Sequence, residues 1–324
     1  MTKRFCALVA GLATLASISG ALAQPVGVTP TSGIVSAFGG VLGKRLDNSG
    51  NDFGNADTFL AGAGGQLHHW LGAAVALQAD FEIMASGTLD IAPDLSIQKG
   101  WYNSALHLAW RDPARASAAV FGALQGTTVR WSDGYTTSVP YGLAGIEAQA
   151  YLGDVTLYGQ AGMAFDMGEP PNLSGAVARD YGDFAFVRGV LRYFPTENIR
   201  LSAEALYGAG EITYYTFNRP SVQVPTTIGS VKVSGDFRPD DSPLSYFGSY
   251  EIGINHQSIP SDTRIAVDHR LMAGVRVDMG AQSLKARDRS GVTWDVPDIA
   301  GLVAQGELLD YCFDVECTYY SAPP

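Results

Sequence analysis

The 324-residue sequence predicts an all-β fold, a transmembrane antiparallel up-and-down β-barrel of about twelve strands, and three observations lead to it. Apolar and polar residues alternate with a period of two along one segment after another. Turn-forming phrases, "RDPARA", "LGD", "FPTEN" and "IPSDT", cut those segments. After residue 23 no run approaches roughly eighteen uninterrupted apolar residues, so a membrane would have to be crossed by strands.

Residues 1–23 carry Lys3 and Arg4, the apolar run "CALVAGLATLASISG" and the small-residue site "ALA" before Gln24, the pattern of a secretory signal peptide. Cys6 leaves with that peptide. Residues 24–280 hold the alternating segments. Val75, Leu77, Phe81 and Ile83 oppose Gln78, Asp80 and Glu82, and Leu157, Ala161, Met163 and Phe165 oppose Thr156, Tyr158 and Gln160. Val187, Leu191 and Tyr193 oppose Arg188 and Arg192, and Leu201, Ala203 and Tyr207 oppose Arg200 and Glu204. Near the end Leu271, Val275, Val277 and Met279 oppose Arg276 and Asp278. One face suits lipid and the other water.

Tight turns are expected near Trp70–Gly72, Asp112–Ala116, Leu152–Asp154, Pro195–Asn198 and Ile259–Thr263. Longer links are expected near Leu46–Asp57, Ser86–Gln98, Trp131–Ser138, Met167–Asp180 and Thr213–Ser242, with a shorter one at Asp268–Arg270. Five turns and six links join twelve strands; ten or fourteen stay open, because Gly33–Arg45 alternates least. A soluble sandwich would have short turns at both ends, whereas here they gather at one. Within Thr213–Ser242 the phrase "SVQVPTTIGSVKVSG" reads as a hairpin standing above the barrel.

Residues 281–324 form a tail of different character. Asp298 can cap a short helix in which Ile299, Leu302, Val303 and Leu309 recur at helical spacing. Such a tail plugs the barrel, packs beneath it or hangs free. Cys312 and Cys317 in "CFDVEC" are expected to form a disulfide in an oxidising compartment.

An even strand number with both termini at the short-turn end resembles the bacterial outer-membrane β-barrels of Gram-negative cells, a porin-like superfamily, over about Gly33–Gly280. In that family the last strand carries a polar residue, glycine at the third place and hydrophobic residues at the sixth and eighth. "MAGVRVDM" sets Gly274, Val277 and Met279 there; it departs in Met272, and in the 45 or so residues that follow where the family commonly ends on an aromatic residue. "LKARDRSG" is similar to tails of alphaproteobacterial barrels. The resemblance implies an outer-membrane location, turns and termini in the periplasm, contact with outer-membrane lipid, and recognition of Gly274, Val277 and Met279 by the barrel-insertion machinery.

Trp70, Trp110, Tyr151, Tyr193 and Phe194 lie beside the short turns and are expected to form an aromatic girdle. The paired His68 and His69 read as interfacial. Asp80, Glu82, His107, Glu147, Gln160, Arg188, Arg192, Arg200, Glu204, Glu251, Arg276 and Asp278 are expected to line the lumen. Rings of both signs either tune a passive channel for small solutes or pair with each other and close it, leaving a structural or adhesive barrel with a binding loop. A third reading is a lipid-acting hydrolase. His256 and Ser258 stand two residues apart on an outward register, as in the outer-membrane deacylases and phospholipases that "INHQS" resembles, though no Asn follows Ser258 and the expected topology sets the pair at the periplasmic end. No cofactor or metal is expected. The formal charge of −11, with no basic stripe, excludes nucleic acid as a partner.

Overall fold

The computed structural model describes residues 30–48, 51–92, 95–132, 134–168, 177–216, 221–259, 262–280 and 283–306. The strands are β1 (Thr31–Asn48), β2 (Asn51–Trp70), β3 (Val75–Ala92), β4 (Leu95–Asp112), β5 (Ala116–Trp131), β6 (Thr136–Leu152), β7 (Val155–Asp166), β8 (Val177–Asp180), β9 (Phe184–Thr196), β10 (Ile199–Thr216), β11 (Val222–Phe237), β12 (Leu244–Ile259) and β13 (Asp262–Met279). Each long strand pairs antiparallel with its neighbours, and β1 closes the sheet on β13 from Gly33↔Met279 to Asn48↔Arg264. The short β8 pairs only with the tip of β10, prolonging the line of β9. Twelve strands therefore make the wall, and among the described residues their closed ladder leaves no open edge in the barrel itself. The weak alternation of β1 has a local cause at this seam: a Cβ on Gly40 would stand 2.0 Å from the Leu271 carbonyl oxygen.

Hydrophobicity is inverted relative to a soluble protein. Phe81, Ile146, Val187, Val231 and Leu271 are each more than half exposed on the outer face, while Arg192, His107, Gln78 and Asp278 are buried within. An apolar surface of this extent has lipid as its solvent.

At one end, which also receives the start of β1 and the end of β13, the connections are Leu71–Ala74, Pro113–Arg115, Gly153–Asp154, Glu197–Asn198 and Arg238–Pro243. Gly153, at φ +60°, supplies the left-handed residue for the tightest of them. Four are the turns expected from sequence and the fifth is not. The stretch Thr213–Ser242, expected as a long loop, contains the wall strand β11, and its turn signal is "RPDDSP". Ile259–Thr263 lies at the opposite end, and Asp268–Arg270 is mid-strand, with Asp268 and Arg270 buried inward. One strand overlooked and one divided leave the total at twelve. The links expected at Leu46–Asp57 and Ser86–Gln98 are mostly ladder: β1 with β2, and β3 with β4, continue pairing to within two residues of each other.

The girdle needs a similar correction. Trp110 and Tyr193 face outward, joined at that level by Phe237 and Tyr246, but Trp70, Tyr151 and Phe194 are buried inside. A strand turns successive side chains to opposite faces, so proximity to a turn does not choose the face. The same rule divides the histidine pair: His68 is buried and His69 exposed.

After β13 the chain turns into the barrel. It forms α1 (Leu284–Ser290), capped by the Ser283 hydroxyl accepting from the Ala286 amide, then an extended stretch, then α2 (Ile299–Val303), continued by a 3-10 turn over Ala304–Gly306. The Asp298 carboxylate caps α2 by accepting from the Gly301 amide, as its position in the sequence predicts. Leu309, Cys312, Cys317 and the expected signal peptide lie outside the described residues.

The outer belt makes one prediction. Val231→Arg, near mid-height on β11, should lower unfolding stability in lipid by about 2–4 kcal/mol, and Phe237→Arg at the rim by much less. Urea unfolding in vesicles measures both; equal losses would dismiss the depth assignment.

Candidate functional site

A wall of twelve strands encloses more space than its own side chains fill, and residues 283–306 occupy that space. Entry is at the turn end, where Lys285 Nζ donates to Asp154 Oδ1 (2.9 Å) and Glu197 Oε1 (3.0 Å). Arg287 pairs with Asp278, and Arg289 donates to the Gly153 carbonyl. The hydrogen bonds to Asp154 and Glu197 raise the Lys285 pKa above its ordinary 10.5, while the bond from Lys285 lowers that of Asp154 below 3.8.

Above this clasp, three tail aspartates meet three wall arginines. Arg192 donates to Asp288 Oδ1 (2.6 Å) and to the hydroxyl of Thr293 (2.6 Å). Arg188 holds Glu204 through Nε and Nη2 (both 2.6 Å) and reaches Asp295 through Nη1 (2.7 Å). Arg270 donates to Asp298 Oδ2 (2.8 Å) and to Glu251 Oε1 (3.3 Å). Wall amides hold the backbone between them. Gln78 Nε2 donates to the Trp294 carbonyl (2.7 Å) while its Oε1 accepts from the Thr293 amide (3.0 Å). Gln125 does the same with the Pro297 carbonyl (2.6 Å) and the Ile299 amide (3.2 Å). An extended segment lacks its own ladder, so these side chains supply the partners that its backbone groups require.

The upper part is held differently. Ile299, Leu302 and Val303 are fully buried against Phe121, Tyr141, Phe184, Phe186 and Leu206 from the wall. Burial of each such side chain stabilises by about 1.5–3 kcal/mol. Gly253 allows the approach, since a Cβ there would stand 2.8 Å from Leu302 Cδ2. The last described contacts run from Asn255 Nδ2 to the Leu302 carbonyl (3.0 Å) and from Lys44 Nζ to that of Gln305 (3.2 Å).

The twelve expected lumen residues all point inward, but they do not form open rings. His107 lies between Glu147 (2.5 Å) and Asp80 (3.0 Å), Gln160 donates to Glu147 (2.9 Å), Arg200 and Arg276 share Asp236, and Asp278 accepts from Ser245 (2.8 Å). Only Glu82 lacks a direct partner among the described residues; it faces a cavity of about 260 Å³ beside the tail, with Lys232, Asn103 and Ser249 also on its lining. Sequence reading missed Lys44, Lys99 and Asp268, buried together with both ammonium groups 3.5 Å from the carboxylate, although the parity of Arg276 and Asp278 on β13 points to Asp268 and Arg270. It also missed Asp288 and Asp295, whose roles depend on partners about a hundred residues earlier.

His256 and Ser258 face outward on β12, beside its hairpin with β13, and hence at the end opposite the turns. The earlier expectation had this end reversed. Among the described residues no side chain orients His256 by a hydrogen bond, and its cross-strand neighbours are Thr227 and Ile265. Gly274 is packed inside against Phe247, while Val277 and Met279 face out.

No protein-family model matches the chain, and no curated protein matches it in sequence. Solved structures resemble it in outline. A mutant of the TodX monoaromatic hydrocarbon channel aligns at TM-score 0.49 and 7% identity, covering 78% of this chain and 91% of its own. The translocator domain of autotransporter NalP from Neisseria meningitidis aligns at 0.48 and 11%, covering 77% and 89%. A Pseudomonas aeruginosa FadL homologue aligns at 0.45 and 9%, covering 78% and 90%. Likenesses this distant assign no activity to the chain.

Two predictions follow from the tail contacts. Arg192→Ala strands the buried Asp288 carboxylate and should cost about 3–5 kcal/mol, whereas Arg192→Ala combined with Asp288→Ala should cost less than the two single changes together. Thermal unfolding of the four proteins tests this; strict additivity would deny the pairing. The clasp should also depend on pH. Asp154, with a lowered pKa, contributes above its ordinary 3.8 and fades as pH falls below it, while Lys285, with a raised pKa, contributes below 10.5 and fades above it. Protection factors at residues 284–290, from hydrogen-exchange rates divided by the intrinsic rate at each pH, should fall slightly outside the window between, because exposed pairs contribute little; protection unchanged across it would remove the clasp.

Proposed function

We propose that the protein is an outer-membrane β-barrel held closed by its own carboxy-terminal segment, a structural barrel whose outer faces, not a pore, are its working parts. One observation carries this reading: residues 283–306 cross the lumen in an unbroken series of contacts, from the Lys285 clasp to the Gln305–Lys44 hydrogen bond. A porin-like passage for small solutes would need this segment to leave. Its departure would expose Ile299, Leu302 and Val303 to water, separate the fully buried Arg192–Asp288 pair, and remove Asp295 and Asp298 from the buried Arg188 and Arg270, so the closed arrangement is favoured.

The outer-membrane reading is supported by the closed wall and its apolar belt, since only helices or closed barrels satisfy their backbone within lipid. Within that reading the expected signal peptide exports the chain, outer-membrane lipid surrounds the belt, and Gly274, Val277 and Met279 present the terminal strand to the insertion machinery.

Planar-bilayer conductance separates closure from passage. The full-length protein should be silent, and a chain ending at Gly280 should conduct steadily and ohmically. Stable conductance from the full-length protein would overturn the closed reading, as would silence from both if the shortened barrel is shown by circular dichroism and heat-modifiable migration to be folded.

A further inference from the structure

The tail leaves one part of the lumen unfilled, the cavity of about 260 Å³ between residues 292–298 and the wall. Its floor is made by Arg200, Asp236, Arg276 and Arg287. The first three lie within three residues of the turn-side ends of β10, β11 and β13, and hence within roughly 8 Å of the turns. Phe38, Met84, Trp101 and Met272 close it above, where they belong to the apolar cluster around Leu42 and Ile97. The cavity is therefore blind toward the far end. Its nearest outlet is the turn face, past Arg200 and Arg276, whose side chains keep 16% and 19% of their surface exposed.

The charges on its lining are unevenly satisfied. Among the described residues Glu82 and Lys232 have no direct partner, while every other charged side chain there has an ionic one. Glu82 stands seven residues into β3 from the turns and Lys232 five residues from the turn-side end of β11, so the two share a level. Five strand-to-strand steps separate β3 from β11. In a ring of tilted strands roughly 24 Å across, that sets them on nearly opposite walls, and a gap on the order of 10 Å remains after both side chains have reached inward. Such a gap is too wide for an ion pair. Two hydroxyls on the same lining, Ser202 Oγ and Ser249 Oγ, also lack a hydrogen-bond partner, and Ser249 is only 7% exposed. An ammonium, a carboxylate and a hydroxyl held away from bulk water all require partners, and the tail supplies none of them.

We propose that this cavity is a binding site for a small zwitterion, which sets its ammonium against Glu82 and its carboxylate against Lys232 and accepts a hydrogen bond from Ser249. With a hydrogen bond of about 3 Å at each end, the gap leaves several ångströms between the ligand's two charges, the reach of an extended dipeptide at roughly 3.3–3.6 Å per residue. At about 30 Å³ for each water displaced, the cavity admits about nine non-hydrogen atoms, the size of diglycine. A singly charged solute fits worse, because it would leave either Glu82 or Lys232 stranded. This site goes beyond the closed reading and needs no pore, since a blind chamber takes up and releases its ligand at one face.

Ligand-linked stability tests the site. The full-length protein is brought to equilibrium in urea with lipid vesicles, where the unfolded chain admits the ligand whatever the rate of entry at the turn face. Diglycine should raise the urea midpoint with the logarithm of its concentration once the site fills. N-acetylglycinamide, similar in size but uncharged, should not. Glu82→Gln and Lys232→Met should each fold, because neither removes an ion pair, and each should need at least tenfold more diglycine for the same shift. Absence of any shift would overturn the proposal. So would an equal shift with the neutral analogue, or in both variants, which would mark a general solvent effect. A shift lost in only one variant would mark a site for a cation or an anion alone and overturn it too. Should a variant fail to fold, the comparison of the two ligands on the unaltered protein still decides.

Discussion

The interaction on which the structure depends is the match between wall guanidinium groups and tail carboxylates across the lumen. Closing twelve strands solves the edge problem and sets an apolar belt toward lipid, but it leaves an interior lined by charged residues and too wide for them to fill. Arg188, Arg192 and Arg270 illustrate the consequence. Arg188 and Arg270 each have a wall partner, Glu204 and Glu251, and each also binds a tail aspartate; Arg192 depends on the tail for Asp288 and Thr293. Without the tail those positions would need water, and with it the three arginines are paired, beside a polar cavity of about 260 Å³.

The two halves of this core follow different physics. Between α1 and α2 the tail is extended, and Gln78, Gln125 and Arg111 bond its backbone directly. Directional bonds of that kind set register, because a shift of one residue would break each of them. Toward the other end α2 satisfies its own backbone and contributes apolar side chains to a cluster drawn from β4–β7 and β9–β11. Burial there supplies most of the stabilising free energy, since ion pairs gain little once their desolvation is counted. The lower half fixes where the segment sits, and the upper half holds it there.

Much of the wall was legible in the sequence because lipid imposes a strict period of two, and Val187 to Tyr193 or Leu271 to Met279 show it residue by residue. What was lost was lost for physical reasons. Beyond the belt the outward face meets water, the contrast between faces fades, and ladder such as Ser86–Ala92 reads as loop. Strand β11 hides similarly: Val224 and Ile228 face an apolar part of the lumen, so both of its faces carry hydrophobic residues. The lumen residues were legible as a face, yet their partners were not, because Asp288 and Asp295 pair with residues 96 and 107 positions away. Asp298 was found only because a helix cap is a local interaction.

That separation also orders assembly. Tail contacts join residues such as Thr156 to Asp288, Lys44 to Gln305 and Gln66 to Trp294, up to 261 positions apart in sequence. None of the tail's binding surface exists on a single hairpin: α2 alone needs β5, β6, β11 and β12 together. The β1–β13 seam likewise joins the first and last strands, and loop-closure entropy must be met before any of these contacts forms. The described part of the segment enters at the turn end and reaches Lys44, thirteen residues along β1. It can reach that position while the wall is open at the seam, or by threading after closure, and only the first route avoids drawing Asp288, Asp295 and Asp298 past the wall arginines of a closed ring. Completion of the seam and seating of the tail are therefore best coupled, with closure around the segment trapping it in register.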